Sequence, residues 1–103
     1  MNVETQLDTR IPTIELEPLA HVLKAIAHPA RLAIVDLLSQ HDQLHCTQLM
    51  EATGVEQSLL SHHLTTMFDR GILSREKDGK FILYRLADKR MANIIDCIIK
   101  QNR

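Results

Sequence analysis

His41, Asp42, His45 and Cys46 fall within six residues of one another, and this mixture of imidazole, carboxylate and thiol is a donor set from which an unusual metal site could be built. The same stretch is short, polar and loop-like, and such clusters are more often solvated turns than ligand sets. The second thiol, Cys97, lies 51 positions beyond Cys46 and outside any paired-cysteine motif. Two such cysteines suit a reducing compartment better than a disulfide framework. Catalysis finds little support: no nucleophile, base and orienting group fall into register, no glycine loop could cradle a phosphate, and there are only 3 glycines. An enzyme is not expected.

The elements that would position these residues are mainly helical. Residues 1–13 are mostly polar and read as a flexible N-terminal arm, and residues 14–103 as one domain. From Ile14 to Ala27, Leu16, Leu19, Leu23 and Ile26 recur at spacings of three and four, an apolar helical stripe in which Pro18 fits only the first turn. His28-Pro29 ends that pattern. Proline is pre-organised for the start of a new helix, with His28 as its cap or turn residue, and Leu32, Ile34, Val35, Leu37 and Leu38 continue to about Gln40. His21 lies on a polar flank of the first helix.

After the polar His41-Asp42-Gln43, a short helix runs from Cys46 or Thr47 to Thr53, with Gly54 at its end. Residues 56–69 form the next helix. Leu59, Leu60, Leu64, Met67 and Phe68 face the core, leaving Ser58, Ser61, His62, Thr65 and Asp69 outside. Two helices joined by a glycine-bearing turn, the second with small polar residues on its outer face, are the arrangement of a helix-turn-helix. Residues 72–77 and 80–86 are β-prone runs separated by Asp78-Gly79, which suits a type I′ hairpin, and a hairpin in that position is a wing. A last helix, Asp88 to Gln101, carries Met91, Ile94, Ile95, Ile98 and Ile99. That stripe exceeds what a small core needs, and a second copy of the chain is its natural partner.

Composition is consistent with this outline. With 103 residues, 45% of them hydrophobic and only 3% aromatic, the chain supports one mostly helical domain close to the size at which oligomers become common. No run of eighteen apolar residues and no secretion signal stand out, so a cytoplasmic location is expected. The net charge of −1 conceals an asymmetry: residues 56–103 hold nine Lys or Arg against six acids, and the first twenty residues hold four acids against one Arg. A polyanion would meet the C-terminal half.

Leu23-Lys24-Ala25-Ile26-Ala27-His28-Pro29-Ala30-Arg31-Leu32-Ala33-Ile34, then Gly54-Val55, Ser58 to Leu64, Gly71-Ile72-Leu73 and Tyr84-Arg85-Leu86 occur in an order and at separations that resemble the ArsR/SmtB family of bacterial repressors. The likeness spans residues 16–100. It implies a mainly α winged helix-turn-helix of order ααααββα, a homodimer through the first and last helices, and a recognition helix in the major groove of operator DNA. It also implies repression relieved by an effector, with no catalysis.

Carried over position by position, the DNA-binding candidates on the recognition helix, Gln57 to Phe68, are Gln57, Ser58, Ser61, His62, His63, Thr65 and Thr66. Their amide, hydroxyl and imidazole groups suit base edges and phosphates. In the wing, Arg75, Lys77 and Lys80 are candidates for phosphate contact, or for the charges that keep an exposed strand soluble.

For the effector, the resemblance leaves two routes. Metal-sensing relatives use a Cys-x-Cys pair at the short third helix or Asp and His ligands on the last helix; this chain has Leu44-His45-Cys46-Thr47 and Asp88-Lys89-Arg90 instead, and departs from both. His41, Asp42, His45 and Cys46 remain as the metal candidates. A thiol switch would employ Cys46 and Cys97, although the family architecture sets their helices too far apart for an intramolecular bridge, and Cys97 reads as a small buried hydrophobe beside Ile94 and Ile98. The competing reading is a winged-helix protein-interaction module without specific DNA binding, suggested by the modest charge and by the lack of Arg or Lys on the outer face of the recognition helix.

Overall fold

The computed structural model describes residues 7–101, in which residues 7–12 lead without helix or strand into the first helix. Residues 1–6, and with them the first half of the expected arm, lie outside the described region. The elements are α1 (Thr13–Ile26), α2 (Pro29–Gln40), β1 (Leu44–His45), α3 (Cys46–Thr53), α4 (Gln57–Asp69), β2 (Leu73–Asp78), β3 (Phe81–Leu86) and α5 (Arg90–Gln101).

Local chemistry accounts for most boundaries. The His28 ring accepts a hydrogen bond from the Ala30 amide at 3.0 Å, with Pro29 at the first position of α2, so His28 is the cap expected of it. Gly54, at φ +70°, closes α3 in the left-handed conformation that glycine adopts without steric cost. Glu56 opens α4 by accepting from the Ser58 amide at 2.7 Å, and the same bonds hold its carboxyl below the usual carboxylate range. Asp88 opens α5 by accepting from the Arg90 amide at 2.9 Å, two residues later than the sequence suggests for the helix start.

Three local expectations are corrected. Pro18 sits in the second turn of α1, where its missing N–H leaves the Ile14 carbonyl without a helical donor; Ile14 is 84% exposed, so water can take that place. The wing turn consists of Gly79 and Lys80, because Asp78 pairs with Phe81. Gly79 has φ +64° and Lys80 does not have a positive φ, which is the sign pattern of a type II′ turn with glycine at its first central position; type I′ would force Lys80 into the left-handed region as well. Finally, Leu44 and His45 form a short strand, pairing with Tyr84 and Leu83, so the sheet is three-stranded and antiparallel in the order β1-β3-β2. Two residues are too few to show a period of their own, and β3 recruits them.

The core joins α2, α4 and α5 with the base of the wing: Ile34, Val35, Leu38, Leu49, Leu60, Leu64, Met67, Ile72, Leu73, Tyr84, Leu86, Met91 and Ile95 are all buried. Each large aliphatic side chain buried in this way contributes roughly 1.5–3 kcal/mol. Leu59, expected inside, is half in solvent, and Leu19, Leu23, Leu32 and Ile98 are also substantially exposed. The stripes on α1 and α5 are therefore only partly used by a single chain. Among the described residues, no helix is long and apolar enough to cross a membrane.

Candidate nucleic-acid interface

α3 and α4, joined by Gly54-Val55-Glu56, form the helix-turn-helix, and the Leu60, Leu64 and Met67 side chains fix the roll of α4 by entering the core. That roll turns Gln57, Ser58, Ser61, His62 and Thr65 to solvent and leaves Thr66 half-buried. These side chains offer amide, hydroxyl and imidazole groups along one continuous face, with Leu59, 50% exposed, beside them as an apolar contact. The sequence assigned Leu59 to the core. An aliphatic side chain on such a face can meet a thymine methyl.

His63 corrects the list. It is 3% exposed and points inward with Leu60, Leu64 and Met67, so it cannot touch a base edge. Its position follows from helical period: it stands three residues after Leu60 and four before Met67, spacings that share a face. Its Nδ1 accepts a hydrogen bond from Arg31 Nε at 2.9 Å, a partner that composition and motif did not suggest. Burial, with His28, Arg31 and His62 nearby, pushes the His63 pKa below its ordinary value of 6.5.

In the wing, the three cationic candidates divide. Arg75 lies 3.9 Å from the centroid of the Phe68 ring, tying β2 to the end of α4. Lys77 and Lys80 are exposed, and the Lys80 ammonium stands 5.7 Å from the Phe81 ring. Arg85 is engaged by Gln43 and by an ion pair with Glu76. The hairpin tip is tethered as well: His45 Nε2 lies 3.0 Å from Asp78 Oδ2, and the His45 and Phe81 rings are 5.1 Å apart. This link between β1 and the wing was invisible in the sequence, since its partners are 33 positions apart.

The metal candidates are not gathered. Among the described residues, no group of three or more His, Cys, Asp or Glu side chains could hold an ion. His45 is turned to Asp78, and Asp42 faces Lys89 at 3.7 Å. Just before α5, the Asp88 carboxylate is gripped by the Arg90 guanidinium at 2.9 Å, and its pKa falls to about 2. Both cysteines are free thiols. Burial raises the Cys46 pKa above its ordinary 9.0, whereas Cys97 is exposed in the single chain, contrary to the expectation of a buried one.

Residues 28–75, from the cap of α2 into β2, match the model of the bacterial regulatory proteins of the arsR family. The transcriptional repressor PagR of Bacillus anthracis is 36% identical over 89 residues, which are 86% of this chain and 89% of PagR. This chain belongs to the ArsR family.

Other relatives and solved structures agree with this membership. The repressor SmtB of Mycobacterium tuberculosis is 37% identical over 81 residues, covering 78% of this chain and 58% of SmtB. The PagR crystal structure superposes with a TM-score of 0.75 at 34% identity, over 84% of this chain and 99% of that one. A homodimeric winged helix-turn-helix DNA-binding domain from Mycobacterium bovis, at 24% identity, shares the fold with a TM-score of 0.76, over 95% of this chain and 90% of that one. The ArsR chain described here is accordingly a winged helix-turn-helix transcriptional repressor, as its sequence suggested, and its family is one of transcriptional regulators, not enzymes.

Proposed function

We propose that two copies of this chain pair through α1 and α5 and set their α4 helices into successive major grooves of an operator duplex in the cytoplasm. Gln57, Ser58, Ser61, His62 and Thr65 meet base edges and phosphates, Thr66 lies at the rim, and Lys77 and Lys80 of the wing neutralise backbone phosphates. The observation that carries this reading is the uninterrupted polar face of α4, presented to solvent by a helix whose other face is locked in the core. Pairing is supported by the unused apolar surface. Ile14, Pro18, Leu19, Val22, Met91 and Ile94 line a groove of about 640 Å³ between α1 and α5, and Leu23 of α1 and Ile98 of α5 are exposed as well. A second copy would cover what one chain leaves wet.

Selecting duplexes from a random pool and measuring fluorescence anisotropy at physiological salt tests the proposal. The selected duplex should bind about 10³-fold more tightly than random DNA, in the range of specific regulators, and sedimentation should give a dimer. Replacing Ser61 and His62 together with Ala should abolish discrimination while leaving the dimer intact. The absence of Arg and Lys from the outer face of α4 favours the second reading, a protein-interaction module, under which no sequence is enriched and the same double substitution leaves partner binding intact.

A further inference from the structure

Arg31 and His63 meet where no base can reach. Arg31 is half-buried in the first turn of α2, and its guanidinium makes two contacts: Nε donates to His63 Nδ1 at 2.9 Å, and Nη1 donates to the Ala25 carbonyl at 3.3 Å. One side chain thereby joins the end of α1, the start of α2 and the middle of the recognition helix. Arginine only donates, so His63 Nδ1 must offer a lone pair and the ring proton must reside on Nε2. Among the described residues, Nε2 is itself buried without a hydrogen-bond partner. The geometry therefore holds His63 as a neutral ring in a single tautomer.

A second proton has nowhere to go. Placed on Nδ1, it would confront the Arg31 N–H and set two cations at hydrogen-bond distance. The charged and titratable groups that act on His63 are basic: the His28 ring from the α2 cap at 4.4 Å, Arg31 from α2, and the His62 ring from its own helix at 6.0 Å. None is a carboxylate that could compensate.

We propose that Arg31 and His63 are positioning residues for DNA recognition: their hydrogen bond seats α4 on α2, and because it requires a neutral ring, one proton on His63 loosens the recognition helix and erodes sequence discrimination. This rests on the reading of α4 as the DNA-reading helix. The sign of the pH dependence follows from the depressed pKa of His63. The contact is intact above 6.5, the value of the unfolded ring, and is lost as the pH falls through the lower folded value. Exposed His62 acts in the opposite sense, since a charge there attracts phosphates of any sequence. The signature is therefore the ratio of affinities for selected and random duplex, not either affinity alone.

The test compares wild type, His63→Gln and His62→Gln from about pH 8 down to the lowest pH at which the chain stays folded, using the duplex selected at pH 7.5 and a scrambled one. In His63→Gln, the introduced amide carbonyl would accept from Arg31 without titrating. The wild-type ratio should fall about tenfold in acid, as expected for loss of one charge-assisted hydrogen bond. His62→Gln, which alters the reading face itself, should lower the ratio at every pH and still show a fall in acid, and His63→Gln should flatten that fall. A parallel fall in His63→Gln overturns the proposal. Long-range ¹H–¹⁵N spectra of the free wild-type chain supply a readout that needs no DNA. The Nε2–H tautomer of His63, with α4 amide shifts that follow its titration, supports the latch; an Nδ1–H tautomer, or stationary α4 amides, refutes it. Absence of any discrimination at pH 7.5 would instead sink the repressor reading, and the spectra would still decide the latch.

Discussion

Replacing Lys77 with Ala removes one exposed cation from the wing while leaving the packing of the hairpin untouched, because its neighbours Glu76 and Asp78 are held by Arg85 and His45. If Lys77 neutralises a phosphate, each lost contact lowers the slope of log K against log salt by about 0.9. The substitution occurs in both protomers of the proposed dimer, so the slope should fall by about 1.8. Between about 50 and 200 mM salt, that difference amounts to roughly a tenfold change in relative affinity. Fluorescence anisotropy across this range, with selected and random duplexes, gives both slopes. They should fall equally, because phosphate contacts carry no sequence information. Lys80→Ala should behave alike. Arg75→Ala should differ, since its guanidinium also covers the Phe68 ring, a contact contributing about 0.5–1 kcal/mol at an exposed site; its melting temperature should drop by several degrees, whereas that of Lys77→Ala should hold. Slopes for Lys77→Ala and Lys80→Ala within about 0.5 of wild type would refute a backbone role for the wing.

Leu64→Ala, at a position with no solvent exposure, should destabilise the chain by about 2–5 kcal/mol in urea unfolding at fixed protein concentration. Asp88 should titrate at about 2 in a ¹³C-detected carboxylate experiment, and Arg90→Ala should return it toward its ordinary 3.8. Because that pKa is depressed, whatever stability the pair gives is present above 3.8 and lost as the pH falls through about 2. In a Cys97→Ser background, Cys46 should react with a disulfide reagent at pH 8 more slowly than the same chain in guanidinium, since burial raises its pKa; equal rates would show that the thiol is not shielded.

Much of the fold was legible because its determinants are local. The Leu60-Leu64-Met67 spacing, the His28-Pro29 break, Gly54 and the β-prone runs each state their structure within a few residues, and each element forms close to where they place it. The misreadings arise where the deciding partner is distant. Leu44 and His45 look like loop until β3 supplies hydrogen bonds from Leu83 and Tyr84. Leu19, Leu23 and Leu32 carry a helical stripe, but the stripe marks apolar character without saying which chain will bury it. The wing turn shifted by one residue because Asp-Gly and Gly-Lys are both acceptable turn pairs, and strand pairing decides between them.

The candidate site was legible to the degree that polarity and exposure coincide. On α4 they coincide at Gln57, Ser58, Ser61, His62 and Thr65, and they separate at His63 and Leu59, a polar residue inside and an apolar one outside. Both exceptions sit on the faces that helical period assigns to their neighbours, and chemical type alone points each the wrong way. A buried imidazole in a repressor core carries a cost that packing by leucine would avoid, and Nε2, without a partner among the described residues, adds to it. Such a residue is tolerated where its hydrogen bond performs a task that an aliphatic side chain cannot, and the task visible here is to join α2 to α4 through Arg31. His63→Leu should therefore separate the two contributions. If it keeps or raises the melting temperature while lowering the ratio of specific to random binding, His63 serves orientation more than stability. If it lowers both together, the ring is structural and its burial serves no orienting task.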